Sequence, residues 1–244
     1  TFVDVRELQG YTPWYMNLPE KGKGFEEAWK FMKSDSGFNA PYGLTTAEQS
    51  HPRFRLSYEG HECQWNGPVW PFATSVTLTA LANVLNNYSQ DVVSEKDYFD
   101  QFLKYSRSQR RVCEDGRIIP WIDENQNPYT GDWISRTRLA SWKDGGWSAE
   151  KGKDYNHSTY CDLLISGLVG IRPQTGDNVV VHPLVPAQAW EWFCLDGVSY
   201  QGRVLTVFYD RTGKRYGRGK GFFVLVDGEV RAQAARLQEL RVSW

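Results

Sequence analysis

Cysteine is scarce in this sequence of 244 residues: Cys63, Cys113, Cys161 and Cys194 stand far apart. None forms a C-x-x-C pair, which excludes the common zinc and thioredoxin-like signatures and leaves buried free thiols as the expected state. No stretch approaches the ~18 apolar residues of a membrane span, and Thr1 does not open a basic, then apolar, leader. No membrane partner is therefore expected, and a chain without Met at position 1 reads as one that begins within a longer protein. An excess of either charge is missing too: the formal net charge is −1 and the pI near 6.4. Nucleic acid and anionic membranes require a clustered basic face, so neither is an expected partner, and a substrate should be neutral or weakly charged.

What the sequence does have is aromatic surface. Eleven Trp, 13 Tyr and 12 Phe accompany a hydrophobic content of 41%, enough for one large or two ordinary domains with a substantial core. Flat aromatic rings fill cores, and they also pack well on the C–H faces of sugar rings.

Up to about residue 171 the pattern is helical. Phe25, Ala28, Trp29 and Met32 recur at helical spacing, with Glu26 and Glu27 placed to suit a helix N-terminus. Ser34 to Pro52 is rich in Gly, Pro, Ser, Asn and Thr and predicts an irregular loop, either a plain surface loop or the lining of a mouth. Ala73 to Tyr88 predicts a buried helix carrying Val76, Leu78, Leu81, Val84 and Leu85. Ser94 caps a further helix through Tyr98, Phe99, Phe102 and Tyr105 to about Arg111. Arg107, Arg110 and Arg111 at its end complement the helix dipole better than they suggest a phosphate site. One more helix is expected from Ser158 to Gly167 or Gly170.

Beyond Arg172 the pattern becomes short β-type runs: 179–183, 190–195, 198–200, 204–209, 222–226 and 240–242. Asp227-Gly228 predicts a hairpin turn. The expected fold class is therefore α+β multidomain, helical over 1–171 and β over 172–244.

Two motifs carry chemistry. The first runs Trp121-Ile122-Asp123-Glu124-Asn125-Gln126-Asn127-Pro128-Tyr129-Thr130-Gly131-Asp132-Trp133, a polar loop of carboxylates and amides anchored by tryptophans, as sugar sites often are. The second is Trp65-Asn66-Gly67-Pro68-Val69-Trp70, a tryptophan-rich turn leading straight into the buried helix. The first resembles the E-N-x-N-P-x-T-G loop of six-hairpin (α/α) toroid glycosidases, namely glycoside hydrolase family 63 and its mannosylglycerate and glucosylglycerate hydrolase relatives. The second is similar to the W-x-G-P-x-W turn that opens an inner helix there, although Asn66 stands where Arg is frequent. Asn66 can hydrogen-bond a sugar hydroxyl but cannot form a bidentate ion pair. Lys153 to Ile165 is similar to the turn into the last inner helix. Pro183-Leu184-Val185-Pro186, Trp190 and Tyr200-Gln201-Gly202-Arg203 match the outline of the small antiparallel β-sandwich that closes many toroids.

The resemblance implies an inverting glycoside hydrolase acting on a neutral oligosaccharide or glycoside without metal or organic cofactor, with Glu124 as general base. Trp65, Asn66, Trp70, Trp121, Asp123, Asp132, Trp147, Tyr155 and His157 would line the carbohydrate site, with Asp154 beside them on the rim. The plainer alternatives are tryptophans that fill core, an Asp123 that orients the loop, and a His157 satisfied at a helix start. Inversion also needs a general acid ~6.5–9.5 Å from the base. The family places that acid upstream, and no matching stretch is found here. A full toroid of about twelve helices needs on the order of 300 residues. The chain is therefore expected to hold a partial (α/α)6 toroid, its C-terminal half, partnered by the N-terminal half through an apolar surface along 73–85 and 159–168. Two other functions fit the same residues, a noncatalytic carbohydrate-binding fragment and a toroid glycoside phosphorylase. A bacterial periplasmic or extracellular setting is favoured over the cytoplasm.

Overall fold

The computed structural model describes residues 3–56, 65–134 and 159–244, and its architecture is mixed α+β. Two compact units divide the chain, Thr1–Tyr160 and Cys161–Trp244. Five α-helical segments occur among the described residues: α1 (Thr12–Tyr15), α2 (Lys30–Lys33), α3 (Pro71–Asn87), α4 (Glu95–Ser108) and α5 (Tyr160–Asp162).

Helix α3 is the axis of the first unit. Pro71 starts it, at a position where a missing N–H costs nothing. Its residues are small or apolar on nearly every side, so it can be buried all round. Ala73, Leu78, Ala80, Leu81, Ala82 and Val84 are all 2% exposed or less, and α1 and α4 pack on it. Asn83, also buried, uses its amide to clamp the end of α1, donating to the Trp14 and Tyr15 carbonyls at 3.1 and 2.9 Å. The apolar partner surface expected along 73–85 is thus covered within the unit itself. Its faces are occupied by α1, α4 and the 3-10 turn Leu8–Tyr11.

Helix α4 turns Tyr98, Phe102 and Tyr105 inward, as their spacing requires. Ser94 and Asp97 close a capping box, with the Ser94 N–H donating to the Asp97 carboxylate at 2.8 Å. Ser94→Ala is expected to lower stability by about 1 kcal/mol. A urea midpoint that does not move would show the cap to be idle.

Around Phe25 the helix expectation needs correction. Phe25–Trp29 is a 3-10 turn, and with three residues per turn it is Glu26, Trp29 and Met32 that share the inner face. Phe25 is left 52% exposed. Trp29 stacks on Tyr11 at 4.2 Å and meets Trp14 edge-on at 5.8 Å. The segment 34–52 is no plain surface loop either. It contains the antiparallel pair β1 (Asn39–Ala40) and β2 (Gly43–Leu44) and buries Phe38, Leu44, Thr45 and Glu48. Burial would raise the Glu48 carboxyl, but hydrogen bonds from the Arg6 backbone and guanidinium at 2.9 and 2.7 Å bring it below the usual range. Only Arg107 closes α4. Arg110 and Arg111 belong to β3 (Arg110–Val112), paired with β4 (Ile118–Pro120), instead of capping the helix.

In the second unit the expected last helix is α-helical only through Asp162 and continues as a π-turn, Leu163–Leu168. Seven strands follow: β5 (Ile171–Pro173), β6 (Asn178–Val181), β7 (Trp192–Tyr200), β8 (Arg203–Asp210), β9 (Gly221–Val226), β10 (Glu229–Ala234) and β11 (Leu240–Ser243). They make two antiparallel sheets, ordered β10-β9-β8-β7 and β11-β6-β5. All of β9 is buried, and the Asp227-Gly228 turn after it has φ of 52° and 83°, the doubly positive pair that two-residue hairpins favour. Cys63 lies outside the described residues, and the other three thiols depart from expectation. Cys113 is half-buried and Cys161 and Cys194 are exposed, Cys194 because it falls on the outward alternation of β7.

Asp210, at the end of β8, is 1% exposed. Its carboxylate accepts the backbone N–H groups of Thr212, Gly213, Arg215 and Tyr216 at 3.2, 2.8, 2.7 and 3.1 Å. Burial would push the Asp210 carboxyl up, and these donors outweigh it and hold it below the aspartate range. A depressed folded-state pKa contributes stability above the unfolded value and loses it as pH falls through the folded one. Asp210→Asn is expected to lose about 1–3 kcal/mol near neutrality, with the difference from the parent shrinking below about pH 4. Melting curves across that range check both.

Candidate active site

The loop 121–134 is built from the inside outward. Trp121, Ile122, Asp123, Glu124, Asn125 and Gln126 are all 5% exposed or less. The turn beyond them is held by its own polar groups. The Asn127 side-chain oxygen accepts the N–H groups of Tyr129 and Thr130 at 2.9 and 3.2 Å, closing an Asx turn around Pro128. Gln126 donates its side-chain amide to the Gly131 carbonyl at 2.7 Å. Gly131 has φ of 76°, and a Cβ there would meet the Tyr42 ring at 2.5 Å. Tyr42 in turn donates its N–H to the Pro128 carbonyl at 3.0 Å, so the turn and the 34–52 segment are fitted to each other.

The two motifs meet. Val69, in the tryptophan-rich turn, and Gln126 exchange both backbone hydrogen bonds at 2.9 Å. Val69 bridges Thr45 on its other side, and Gln126 bridges Trp133. Glu124 is thereby tied, two residues away, to the start of α3, where Trp70 is the N-cap residue. Trp65 stacks on Trp70 at 4.3 Å. The Arg111 guanidinium lies over Trp121 at 4.8 Å, and the Trp133 indole N–H donates to the Arg110 carbonyl at 2.9 Å. These contacts seat the loop against the β3–β4 hairpin.

The candidate residues divide accordingly. Glu124 is 3% exposed, held within the loop, and its backbone N–H donates to the Asp123 carboxylate at 2.7 Å. That bond joins the Asp123 side chain, itself fully buried, to the loop backbone at Glu124. Asp132 is exposed and accepts the Thr130 hydroxyl at 3.0 Å. The side chain of Asn66 donates to the Arg53 carbonyl at 2.9 Å, holding the turn against residues 53–55. Trp70 and Trp121 are buried, while Trp65 is partly exposed. Trp147, Tyr155 and His157 lie outside the described residues.

The structure adds residues that the sequence does not single out. Beside the Pro128 turn is a cleft of about 590 Å³ lined by Asn39, Gln49, Lys104 and Tyr129 among others. The Tyr129 hydroxyl donates to the Gln49 side chain at 2.9 Å, and the Lys104 ammonium to Asn39 and the Ala40 carbonyl at 2.7 and 2.8 Å. Asn39 and Gln49 come from a segment whose sequence signal is turn-forming composition, while Lys104 is on α4 and Tyr129 in the Glu124 loop. Among the described residues, no group of three or more His, Cys, Asp or Glu gathers as metal ligands.

Comparison with known proteins bears on this geometry. No curated protein matches the chain. A solved structure called "Sialidase" is similar, with a TM-score of 0.86 and 45% identity over 98% of this chain. The chain spans 20% of the length of that structure. Residues 1–158 match the mannosylglycerate hydrolase MGH1-like glycoside hydrolase domain, so the carboxylate-bearing loop and the tryptophan turn bridged to it both lie inside the match: the chain belongs to the MGH1-like glycoside hydrolase family, a group of six-hairpin toroid type.

Proposed function

We propose that this chain supplies the general base of an inverting glycoside hydrolase, with Glu124 as that base and the general acid elsewhere in a longer protein. In this proposal residues 1–171 are the C-terminal half of an α/α toroid with α3 as an inner helix, and residues 172–244 are a closing β-sandwich. The observation that carries it is the paired backbone hydrogen bond between Val69 and Gln126, which joins the Glu124 loop to the turn that opens α3. Such a bond sets the distance from carboxylate to helix without relying on any flexible side chain.

The chemistry follows from that placement. Glu124 would take a proton from water as the water oxygen bonds to the anomeric carbon on the face opposite the departing group. In the same step the glycosidic bond breaks, and its oxygen receives a proton from the distant acid. Asp123 would keep the loop backbone oriented, Trp65 would offer an aromatic face, and Asp132, being exposed, could bind a hydroxyl. Trp70, Trp121 and Asn66 would serve as walls of the site, together with Trp147, Tyr155 and His157. A toroid phosphorylase would need to bind phosphate where Glu124 places a carboxylate, and like charges repel there. A noncatalytic carbohydrate-binding role would use the same residues without turnover.

The test is hydrolysis of a panel of glycosides by the longest form of the protein, with the first-formed anomer followed by NMR. A sialoside belongs in the panel because the similar solved structure is called a sialidase. Release of the inverted anomer supports the proposal. Release of the retained anomer overturns it, and sugar binding without turnover favours the noncatalytic role.

A further inference from the structure

The connection from β8 to β9 carries charge out of keeping with the rest of the chain. Arg211-Thr212-Gly213-Lys214-Arg215-Tyr216-Gly217-Arg218-Gly219-Lys220 holds five cationic residues and no acid, in a protein whose net charge is −1. A glycine-rich, like-charged loop would ordinarily be left loose by its own repulsion. This one is fixed. The Asp210 carboxylate beneath it receives four of its backbone N–H groups and the Thr212 hydroxyl, the last at 3.2 Å. Tyr216 anchors the middle, edge-on against Phe208 at 5.3 Å and Trp192 at 6.4 Å.

The cations are thus held on a frame that has already lost its conformational freedom. Arg211 pairs with Glu191. Among the described residues, Lys214, Arg215, Arg218 and Lys220 form no ion pair, and all four are exposed. The Arg215 guanidinium lies over Trp192, its carbon 4.1 Å from the ring centroid, and Trp192 is itself 47% exposed. A guanidinium stacked on an indole keeps its in-plane N–H donors available for a carboxylate or sulfate. A ready-ordered group of cations beside an aromatic plate suits repeated anionic groups on sugar rings, because the ordering cost of binding has been met in advance.

We propose that the loop Arg211–Lys220 of the second unit, with Trp192, is a binding surface for an acidic polysaccharide. The choice of a polysaccharide over a nucleic acid rests on the glycoside hydrolase reading of the first unit. The anion-binding chemistry itself does not.

Affinity electrophoresis and calorimetry of the chain against polygalacturonate and heparin test it, with dextran as neutral control and single-stranded DNA as competitor. The expected result is retention by at least one acidic polysaccharide and none by dextran, weakening by about tenfold or more between roughly 50 and 300 mM salt. A Lys214→Ala/Arg218→Ala double variant should weaken binding by about tenfold, and Arg215→Lys should weaken it although charge is kept. These side chains are exposed, so unchanged melting curves will show that the variants fold. Retention by neither acidic polymer, equal binding to dextran, tighter binding to DNA, or variants that bind as the parent does would each overturn the proposal. Since no step requires turnover, its failure leaves the Glu124 proposal standing, and the converse holds.

Discussion

Glu124→Gln, placed in the longest form of the protein, is expected to lower turnover by roughly 10²- to 10⁴-fold, the usual contribution of a positioned general base. Gln has nearly the shape of Glu and can still accept a hydrogen bond, but it cannot take a proton from water at neutral pH. The fall should therefore appear in kcat, with sugar binding little changed, since the ground-state contacts survive. Because Glu124 is buried at 3% exposure, a variant that merely misfolded could give the same loss. Sugar binding and the melting curve, measured alongside, separate the two. Turnover in Glu124→Gln equal to the parent's would remove the central proposal outright.

Gly67→Ala should produce a large loss of stability from a single methyl group. A Cβ at position 67 would lie 1.9 Å from the Arg55 carbonyl oxygen and 2.8 Å from its carbon, contacts that only backbone movement can relieve. That backbone is pinned. The Asn66 carbonyl accepts the Arg55 N–H at 2.9 Å, and the Gly67 N–H donates to the Thr46 hydroxyl at 3.2 Å. We expect a cost of about 3 kcal/mol, seen as a melting temperature lower by roughly 6–12 °C. Turnover should fall too, because the displaced segment carries Val69 and, through its paired backbone bonds, Gln126 and the Glu124 loop. A melting temperature within a degree or so of the parent's would show that the turn has slack.

The long elements were legible in the sequence because burial imposes a period on them. Helix α3 announces itself by apolar and small residues on every side, and α4 by Ser94 and an aromatic face. Strands β7, β8 and β9 show as β-branched and aromatic runs. The misplaced parts are those where period or polarity misleads. Around Phe25 the three-residue turn puts Glu26 inside and Phe25 outside, a choice that composition does not reveal. Strand β10 is polar because it is exposed along most of its length, so nothing in its residues distinguishes it from a loop except its pairing with β9. The Glu124 loop could be recognised from its residue types. What joins it to the tryptophan turn could not, since a backbone hydrogen bond leaves no trace in side-chain identity. Nor could the burial of segment 34–52, whose turn-forming residues are satisfied internally by partners such as Arg6 and Pro68.

The paired hydrogen bonds between Val69 and Gln126 also bear on how such an enzyme can diversify. Their atoms are common to nearly every amino acid, so the spacing they set would be inherited even while the side chains around them are rewritten. If Trp65, Asn66 and Asp132 meet the sugar as proposed, substrate preference could then drift through them as the carboxylate stays where it is. A lineage built this way would keep its reaction and change its sugars.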